Sequence, residues 1–310
     1  LDKYELKIRE LEDQIRKYQD SYYKDNQSLI TDKEFDSLLK KLQSLEDKYP
    51  QYASEDSPTK TIGSDLSNQF EKFKHTIPVL SLENTYNLEE LEEWTNKHSK
   101  ESLYSLEWKI DGASIVLYYD KGKLQRAVTR GNGGVGDDVT ENVKTIRSIP
   151  LSISDTSSIS IRGEIFISFK DFEEFNNLFD NKYANPRNLA SGSLKNKYPS
   201  ETAKRPLNIF LYDIHFSKDE IKINTQKEVF EFLEKNKFPI APGLEVVNSK
   251  EFSKKIPIWE KKKDKLPFPT DGLVIKINDL NYRETLGFTS HSPRWARAYK
   301  FDAIQKETTI

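Results

Sequence analysis

Cysteine is absent from the 310 residues, which excludes disulfides, cysteine-ligated zinc and a thiol nucleophile. Histidine occurs only at His75, His98, His215 and His291, with no pair at metal-ligand spacing, so no histidine metal site is expected. No apolar run approaches the roughly 18 residues of a membrane-spanning helix, and the first residues are charged. A soluble, cytoplasmic protein is therefore expected. Methionine is missing even from position 1, as in a processed, trimmed or engineered chain. A charge excess is lacking too: 48 Lys+Arg face 50 Asp+Glu, a net charge of −2. Any contact with nucleic acid would have to use a local patch.

Aromatic side chains are plentiful. Seventeen Phe, 15 Tyr and 4 Trp are enough for large cores, which argues against disorder. The mean hydropathy of −0.75 goes with a well-solvated surface. The length suggests two or three domains.

The first segment reads as a helical hairpin. Tyr4, Ile8, Leu11, Ile15, Tyr18 and Tyr22 recur at spacings of three and four, one face of an amphipathic helix. Thr31 and Glu34 form a capping box that opens a second helix, with Phe35, Leu38, Leu39, Leu42 and Leu45 on its apolar face. Residues 51–69 are polar with Pro and Gly, and read as a linker. The division expected is 1–69 for hairpin and linker and 70–310 for a larger domain.

Beyond residue 70 the pattern is mixed. A capping box at Asn87–Glu90 starts a helix through Trp94. Strands are predicted at 103–110, 113–119, 123–129, 159–167, 207–216, 272–277 and 295–301. Helices are predicted near 137–146, 169–179, 226–236 and 249–262. Asp120-Lys121-Gly122 is a hairpin turn. Short links without a β-α-β rhythm favour an antiparallel-rich α+β fold. Gly131 to Gly136 fits G-x-G-x-x-G, but the preceding strand is the second arm of a tight hairpin. A dinucleotide-binding βαβ unit is thus not expected there.

The most informative stretch is Glu107-Trp108-Lys109-Ile110-Asp111-Gly112. On a strand, Glu107, Lys109 and Asp111 share one face, with Trp108 and Ile110 behind. That is either a surface ion-pair row before a turn or a nucleophilic lysine. An amine attacks only when neutral, so the second reading needs a site that lowers the lysine's proton affinity. Thr129-Arg130-Gly131, Arg162-Gly163-Glu164, Asp271-Gly272 through Lys276, and Trp295 through Lys300 are each ordinary alone.

Together, in this order, these motifs resemble the adenylation region of the NAD-dependent DNA ligases, within the covalent nucleotidyltransferases. The likeness runs over essentially the whole chain. Two features resemble the NAD-using branch rather than the ATP-using one. One is the hairpin with Tyr22, Tyr23, Asp32, Lys33, Glu34, Phe35 and Asp36. The other is the run from Ala184 through Arg187 to Lys195. The fold implied is a small helical subdomain followed by an ATP-grasp-like nucleotidyltransferase domain.

The resemblance implies roles. Lys109 would attack the α-phosphorus of NAD, become lysyl-AMP and expel nicotinamide mononucleotide (NMN). The hairpin residues would hold NMN. A cationic ring suits aromatic faces, although Tyr22 and Phe35 equally read as core. Glu107 and the backbone of Ser81 and Leu82 would read adenine, and Tyr212 would stack on it or simply fill a core. Arg130 and Glu164 match ribose and phosphate contacts, and Asp111 completes the set. Asp271 matches a carboxylate near the metal path, while Lys276 and Lys300 match the cations on the α-phosphate. These two ammonium groups would also make Lys109 easier to deprotonate. Magnesium is expected, held largely by water and phosphate, with no protein ligand set. Arg187 and Lys195, in the basic stretch 181–206, would meet nicked duplex DNA or lie in a solvated loop. The chain departs from the family at Tyr23, commonly His, at Phe35, commonly Tyr, and at Lys195 and Lys263, often Arg.

Full-length relatives continue into an OB-fold, a cysteine-rich zinc module, helix-hairpin-helix repeats and a BRCT domain. The expectation is a monomeric adenylation fragment that charges itself but seals nicks poorly and binds DNA weakly. An ATP- or GTP-dependent nucleotidyltransferase and a non-catalytic nucleic-acid-binding module are the alternatives.

Overall fold

The structure, a computed structural model, describes residues 2–23, 29–54, 56–60, 69–98, 102–178, 183–216 and 221–301. Helices α1 (Lys3–Tyr23) and α2 (Asp32–Lys48) form the expected hairpin. Ile8, Leu11 and Ile15 meet Leu42, with Phe35, Leu38, Leu39 and Leu45 around them. The capping box forms: the Glu34 amide donates to Thr31 Oγ1 at 3.2 Å, and the Thr31 amide donates to Glu34 Oε2 at 2.8 Å.

The linker expected over 51–69 is corrected in its first half. A 3-10 turn at Pro50–Tyr52 leads into a strap that lies on the hairpin. Ser57 Oγ donates to Glu46 Oε1 at 2.5 Å, Thr59 Oγ1 donates to Glu46 Oε2, and Ser54 Oγ donates to Glu12. Arg16 Nη2 holds the Asp56 carbonyl at 3.0 Å. The cause is the burial of two carboxylates, Glu12 and Glu46, on the helix faces. Buried carboxylates need donors, and the strap's hydroxyls supply them. Residues 61–68 lie outside the described residues.

Two sheets make the larger unit. The first uses β2 (Asn84–Thr85), β3 (Leu103–Ile110), β9 (Glu245–Asn248), β10 (Thr270–Ile277) and β11 (Ala296–Lys300), in the order β2-β11-β10-β3-β9. Every pair is antiparallel except β2 with β11. Its core side carries Leu106, Trp108, Leu273 and Ile275. Covering it are Trp94 of α3 (Leu88–His98) and Phe252, Ile256 and Trp259 of α9 (Phe252–Lys263). The second sheet is antiparallel throughout: β4 (Ala113–Asp120), β5 (Lys123–Thr129), β7 (Ile159–Phe166) and β8 (Asn208–Phe216), in the order β5-β4-β7-β8. Ile115, Leu117, Ile161, Ile165 and Leu211 pack there. Onto them fold Phe175 of α5 (Phe169–Leu178), Leu189 and Leu194 of α6 (Pro186–Leu194), and Val229 and Leu233 of α8 (Gln226–Lys235). A small ribbon pairs β1 (Lys72–Lys74) with β6 (Val135–Asp137). The remaining helices are α4 (Thr140–Val143), α7 (Pro199–Thr202) and α10 (Leu280–Leu286).

The Asp-Gly after β3 is not a hairpin turn. β3 and β4 belong to different sheets, and the chain crosses between them at Asp111-Gly112. A Cβ on Gly112 would stand 2.1 Å from the Ile165 carbonyl oxygen, so the crossing requires glycine. The Asp120 to Gly122 turn does close a hairpin, with Lys121 and Gly122 at φ 49° and 73°. After β5 the glycine-rich turn runs into β6 rather than a helix, as its hairpin context implies. Gly131 has φ 59° and lies against the Val135 carbonyl.

Two helical expectations change. The helix expected over 137–146 is reduced to the single turn of α4 plus flanking turns. The stretch weighed as a solvated loop, 181–206, contains α6 and α7. Asn185 caps α6, its Oδ1 accepting from the Asn188 amide at 2.8 Å, with Pro186 in the first helical position. That Asn-Pro signal was available in the sequence.

Candidate active site

The functional side chains gather where the two sheets meet. Lys109 pairs in register with Gly272 of β10, and Gly272 pairs on its other side with Lys300 of β11. The two lysines therefore flank a residue that has no side chain. Asp271, one position earlier, joins them: its Oδ2 accepts from Lys109 Nζ at 3.1 Å and from Lys300 Nζ. Lys300 Nζ also donates to Asp32 Oδ2 at 2.5 Å, on the first residue of α2. An unbroken polar chain thus runs from Lys109 through Asp271 and Lys300 to the hairpin.

Electrostatics follow from this packing. Burial opposes the charge on Asp271, but Lys109 and Lys300 outweigh it and hold the carboxyl at about 2. Burial likewise works against the Lys300 charge. Asp271 and Asp32 overcome it, so the ammonium stays protonated well above the ordinary lysine range.

The pair of ammonium groups expected beside Lys109 is corrected. Lys276 stands opposite Ser105, four residues along β3 from Lys109, roughly 13 Å in backbone distance. Its Nζ bonds Glu107 Oε2 at 2.7 Å and the Tyr212 carbonyl at 3.3 Å. The immediate partner of Lys109 is the shared carboxylate.

Glu107 lies inside the site, with both oxygens engaged: Ser105 Oγ donates to Oε1 at 2.7 Å, and Lys276 donates to Oε2. Lys276 Nζ also sits 5.2 Å from the centre of the Tyr212 ring. Burial pushes the Tyr212 phenol far up, so it stays neutral. Glu107, Trp108, Phe210, Tyr212, Pro242 and Leu244 help line a small, largely apolar cleft.

On the second sheet, Glu164 pairs in register with Ser114 and Phe210. Burial pushes its carboxyl up to about 7, against the pull of Arg187, Lys109 and Arg130. Arg187 Nη1 donates to Asp111 Oδ1 at 2.9 Å, and its guanidinium lies 4.9 Å from the Tyr22 ring centre. Arg130 Nη1 donates to Ser81 Oγ at 3.0 Å.

The structure therefore brings Lys109, Asp111, Arg130, Glu164, Arg187, Asp271 and Lys300 together with Tyr22 and Asp32. Other expected residues have different surroundings. Lys33 is exposed and Glu34 serves the cap. Phe35 packs in the hairpin core, and Leu82 packs against the core of the first sheet. Asp36 faces Asn84 and Tyr86, two residues that sequence reasoning missed. Arg187 is turned into the site, while Lys195 pairs with buried Asp137 at 3.3 Å. The side chain of Tyr23 lies outside the described residues.

Among the described residues, no three His, Asp or Glu side chains converge on a metal position. Asp271 Oδ1, however, is buried and has no hydrogen-bond partner. The two lysines take the other oxygen, Oδ2, and the acceptor they leave unused suits a water of a hydrated divalent cation that arrives with phosphate.

Two carboxyls give opposite pH signatures. Glu164 keeps its proton to about 7 in the fold but loses it near 4.5 when unfolded. The folded state then binds the extra proton, so stability should fall as pH rises from about 4.5 to 7. Asp271 is held at about 2 against an ordinary 3.8, so its contribution is present above 3.8 and lost as pH falls toward 2. Urea unfolding at stepped pH should show both slopes, and Glu164→Gln should remove only the upper one. An unchanged upper slope in that variant would contradict the assignment.

Residues 67–304 match the family described as NAD-dependent DNA ligase adenylation domain, and residues 2–63 match the DNA ligase-like, N-terminal NAD+-binding domain. The chain belongs to the NAD-dependent DNA ligase adenylation domain family. A DNA ligase of Leptospira biflexa serovar Patoc is 59% identical over 97% of this chain and 45% of that protein. One from Leptospira interrogans is 57% identical over 98% of this chain and 44% of its own length. One from Fusobacterium nucleatum is 43% identical over 98% and 45%. The chain thus spans under half the length of these curated relatives. Among solved structures, an archaeal ATP-dependent RNA ligase aligns at a TM-score of 0.41 and 15% identity, covering 71% of this chain and 47% of that one. No helix among the described residues is long and apolar enough to cross a membrane.

Proposed function

We propose that this chain carries out the first step of nick sealing: transfer of AMP from NAD to Lys109. NAD serves as substrate, and no hydride moves. The observation that carries this reading is the shared Asp271 carboxylate. It ties an amine, a permanently charged lysine and, through that lysine, the hairpin carboxylate Asp32 into one connected site.

The chemistry follows from these neighbours. Lys109 Nζ must lose a proton before it attacks. Asp271, held at about 2, is too weak a base and serves to orient the amine. We assign the proton to Glu164, which lies within electrostatic range of Lys109 and which burial holds up at about 7. The nitrogen lone pair then forms the N–P bond. The P–O bond to NMN breaks, and NMN leaves with that electron pair. Lys300 is placed to stabilise charge on the non-bridging oxygens, with Lys276 further along the strand. Magnesium, when bound near Asp271 Oδ1, would supply further charge stabilisation at phosphate.

Glu107 and Tyr212 carry the polar and aromatic groups that adenine needs, and Arg130, Ser81 and Leu82 would complete the nucleoside contacts. Tyr22, Asp32 and Asp36 suit the nicotinamide half. The setting is a monomer in the cytoplasm acting on nicked duplex DNA in replication and repair. Arg187 and Lys195 would reach DNA phosphates after their pairs with Asp111 and Asp137 open. Intact-mass measurement with magnesium and either NAD or ATP tests the reaction. NAD should add one adenylyl group and ATP none. Charging by ATP alone would overturn the proposal.

A further inference from the structure

Asp36 is a hairpin carboxylate held by two side chains of the larger unit, and both donors come from one short segment. Tyr86 Oη donates to Asp36 Oδ2 at 2.6 Å, and Asn84 Nδ2 donates to the same oxygen at 2.9 Å. Among the described residues, Asp36 Oδ1 has no hydrogen-bond partner. A carboxylate offers lone pairs on both oxygens, so fixing one aims the other.

The two donors are themselves well anchored. Asn84 lies on β2, paired with Ala298 of β11, the strand that ends in Lys300. The Tyr86 amide donates to Glu90 Oε2 at 3.0 Å, within the cap that opens α3. Burial and the adjacent Asp36 carboxylate push the Tyr86 phenol far up, so it remains a donor at any physiological pH. The segment therefore presents two fixed donors beside the strand that bears the phosphate-side lysine. Lys300 itself holds Asp32, four residues before Asp36 and so on the same helix face.

We infer that Asn84 and Tyr86 are positioning residues that latch the hairpin through Asp36 Oδ2 and turn Oδ1 toward the nicotinamide half of the substrate. This rests on the function proposed above. The latch does not touch the reacting atoms. It raises the population of the docked hairpin, which NAD and NMN require and AMP alone does not. Losing it reduces apparent affinity in proportion to the docked fraction, while a saturating ligand restores docking.

Initial rates of charging across a range of NAD concentrations test this, using Tyr86→Phe, which removes one hydroxyl and keeps the ring. The expected result is a KM for NAD raised about tenfold with the maximal rate unchanged, the scale of one hydrogen bond to a charged group. Discharge of the adenylylated protein by NMN should show the same shift in KM, and titration with AMP should show none. Asn84→Asp, which sets a carboxylate against Asp36, should raise both KM values further. Unchanged KM values in Tyr86→Phe would overturn the latch. So would lowered values, which would mean that the contact competes with substrate. A joint fall in maximal rate and AMP affinity would reduce these residues to supports of β2 and overturn it as well. If the unsubstituted chain takes no adenylyl group from NAD, the underlying function has failed and the latch falls with it.

Discussion

Replacing Lys109 by Ala should abolish charging by NAD, a loss of at least about a thousandfold, because no second amine stands in its place. Lys300 is the nearest lysine in the same row, but Asp271 and Asp32 hold it protonated. A protonated amine has no lone pair to give. Lys109→Arg is the sharper variant. It keeps a cation for Asp271 but supplies no nucleophile at neutral pH. Its fold should survive, since the Lys109 side chain is 23% exposed and its pair with Asp271 is only partly buried. Intact mass reads the charging, and urea unfolding reads the fold. Residual charging of Lys109→Arg at a tenth of the parent rate would place the nucleophile elsewhere.

The largest effect on stability should come from Glu107→Ala. Glu107 and Lys276 side chains are each 5% exposed and bonded at 2.7 Å. Removing one partner of a buried pair leaves the other charge unmatched, at a cost of about 3–5 kcal/mol. The Tyr212 carbonyl and ring, which also face Lys276, moderate this toward the lower figure. Replacing both residues with apolar side chains of similar volume should recover most of the loss, because the desolvation of both charges is then avoided. Urea unfolding of the two variants measures this. A loss below about 1 kcal/mol for Glu107→Ala would mean that the pair behaves like an exposed one.

Legibility in the sequence followed the range of each interaction. The hairpin was readable because its apolar face repeats every three to four residues and its second helix opens on Thr31 and Glu34. The β4–β5 hairpin was readable from Asp120 to Gly122. The alternation Glu107, Lys109, Asp111 against Trp108 and Ile110 marked a strand with a polar face, and the structure turns that face into the site. Short elements were not readable. β2 has two residues and β6 three, too few for a period, and each pairs with a distant segment. The basic side chains of 181–206 masked α6, whose Asn-Pro start is its one local signal. The Asp111-Gly112 crossing has the composition of a turn, and only the placement of Ile165 shows that two sheets meet there.

Contacts between the hairpin and the larger unit left no local trace. Lys300 and Asp32 are 268 residues apart, and Tyr86 and Asp36 are 50 apart. Family resemblance supplied Lys109, Asp271 and Lys300 as a set. It did not show that the two lysines share the Asp271 carboxylate, or that Lys276 departs toward Glu107. The strap through Ser54, Ser57 and Thr59 was hidden for a similar reason. Ser, Asp and Pro compose a linker and a buried hydroxyl clamp equally well, and only Glu12 and Glu46 turned inward distinguish them.

The central claim is a single covalent bond between one side-chain nitrogen and one phosphorus. Peptide mapping after reaction with NAD and magnesium, under neutral conditions that spare an acid-labile N–P bond, tests it most directly. The account predicts the adenylyl group on the peptide that contains Lys109 and on no other lysine. Adenylylation at Lys276, Lys300 or a surface lysine, with Lys109 unmodified, would contradict it.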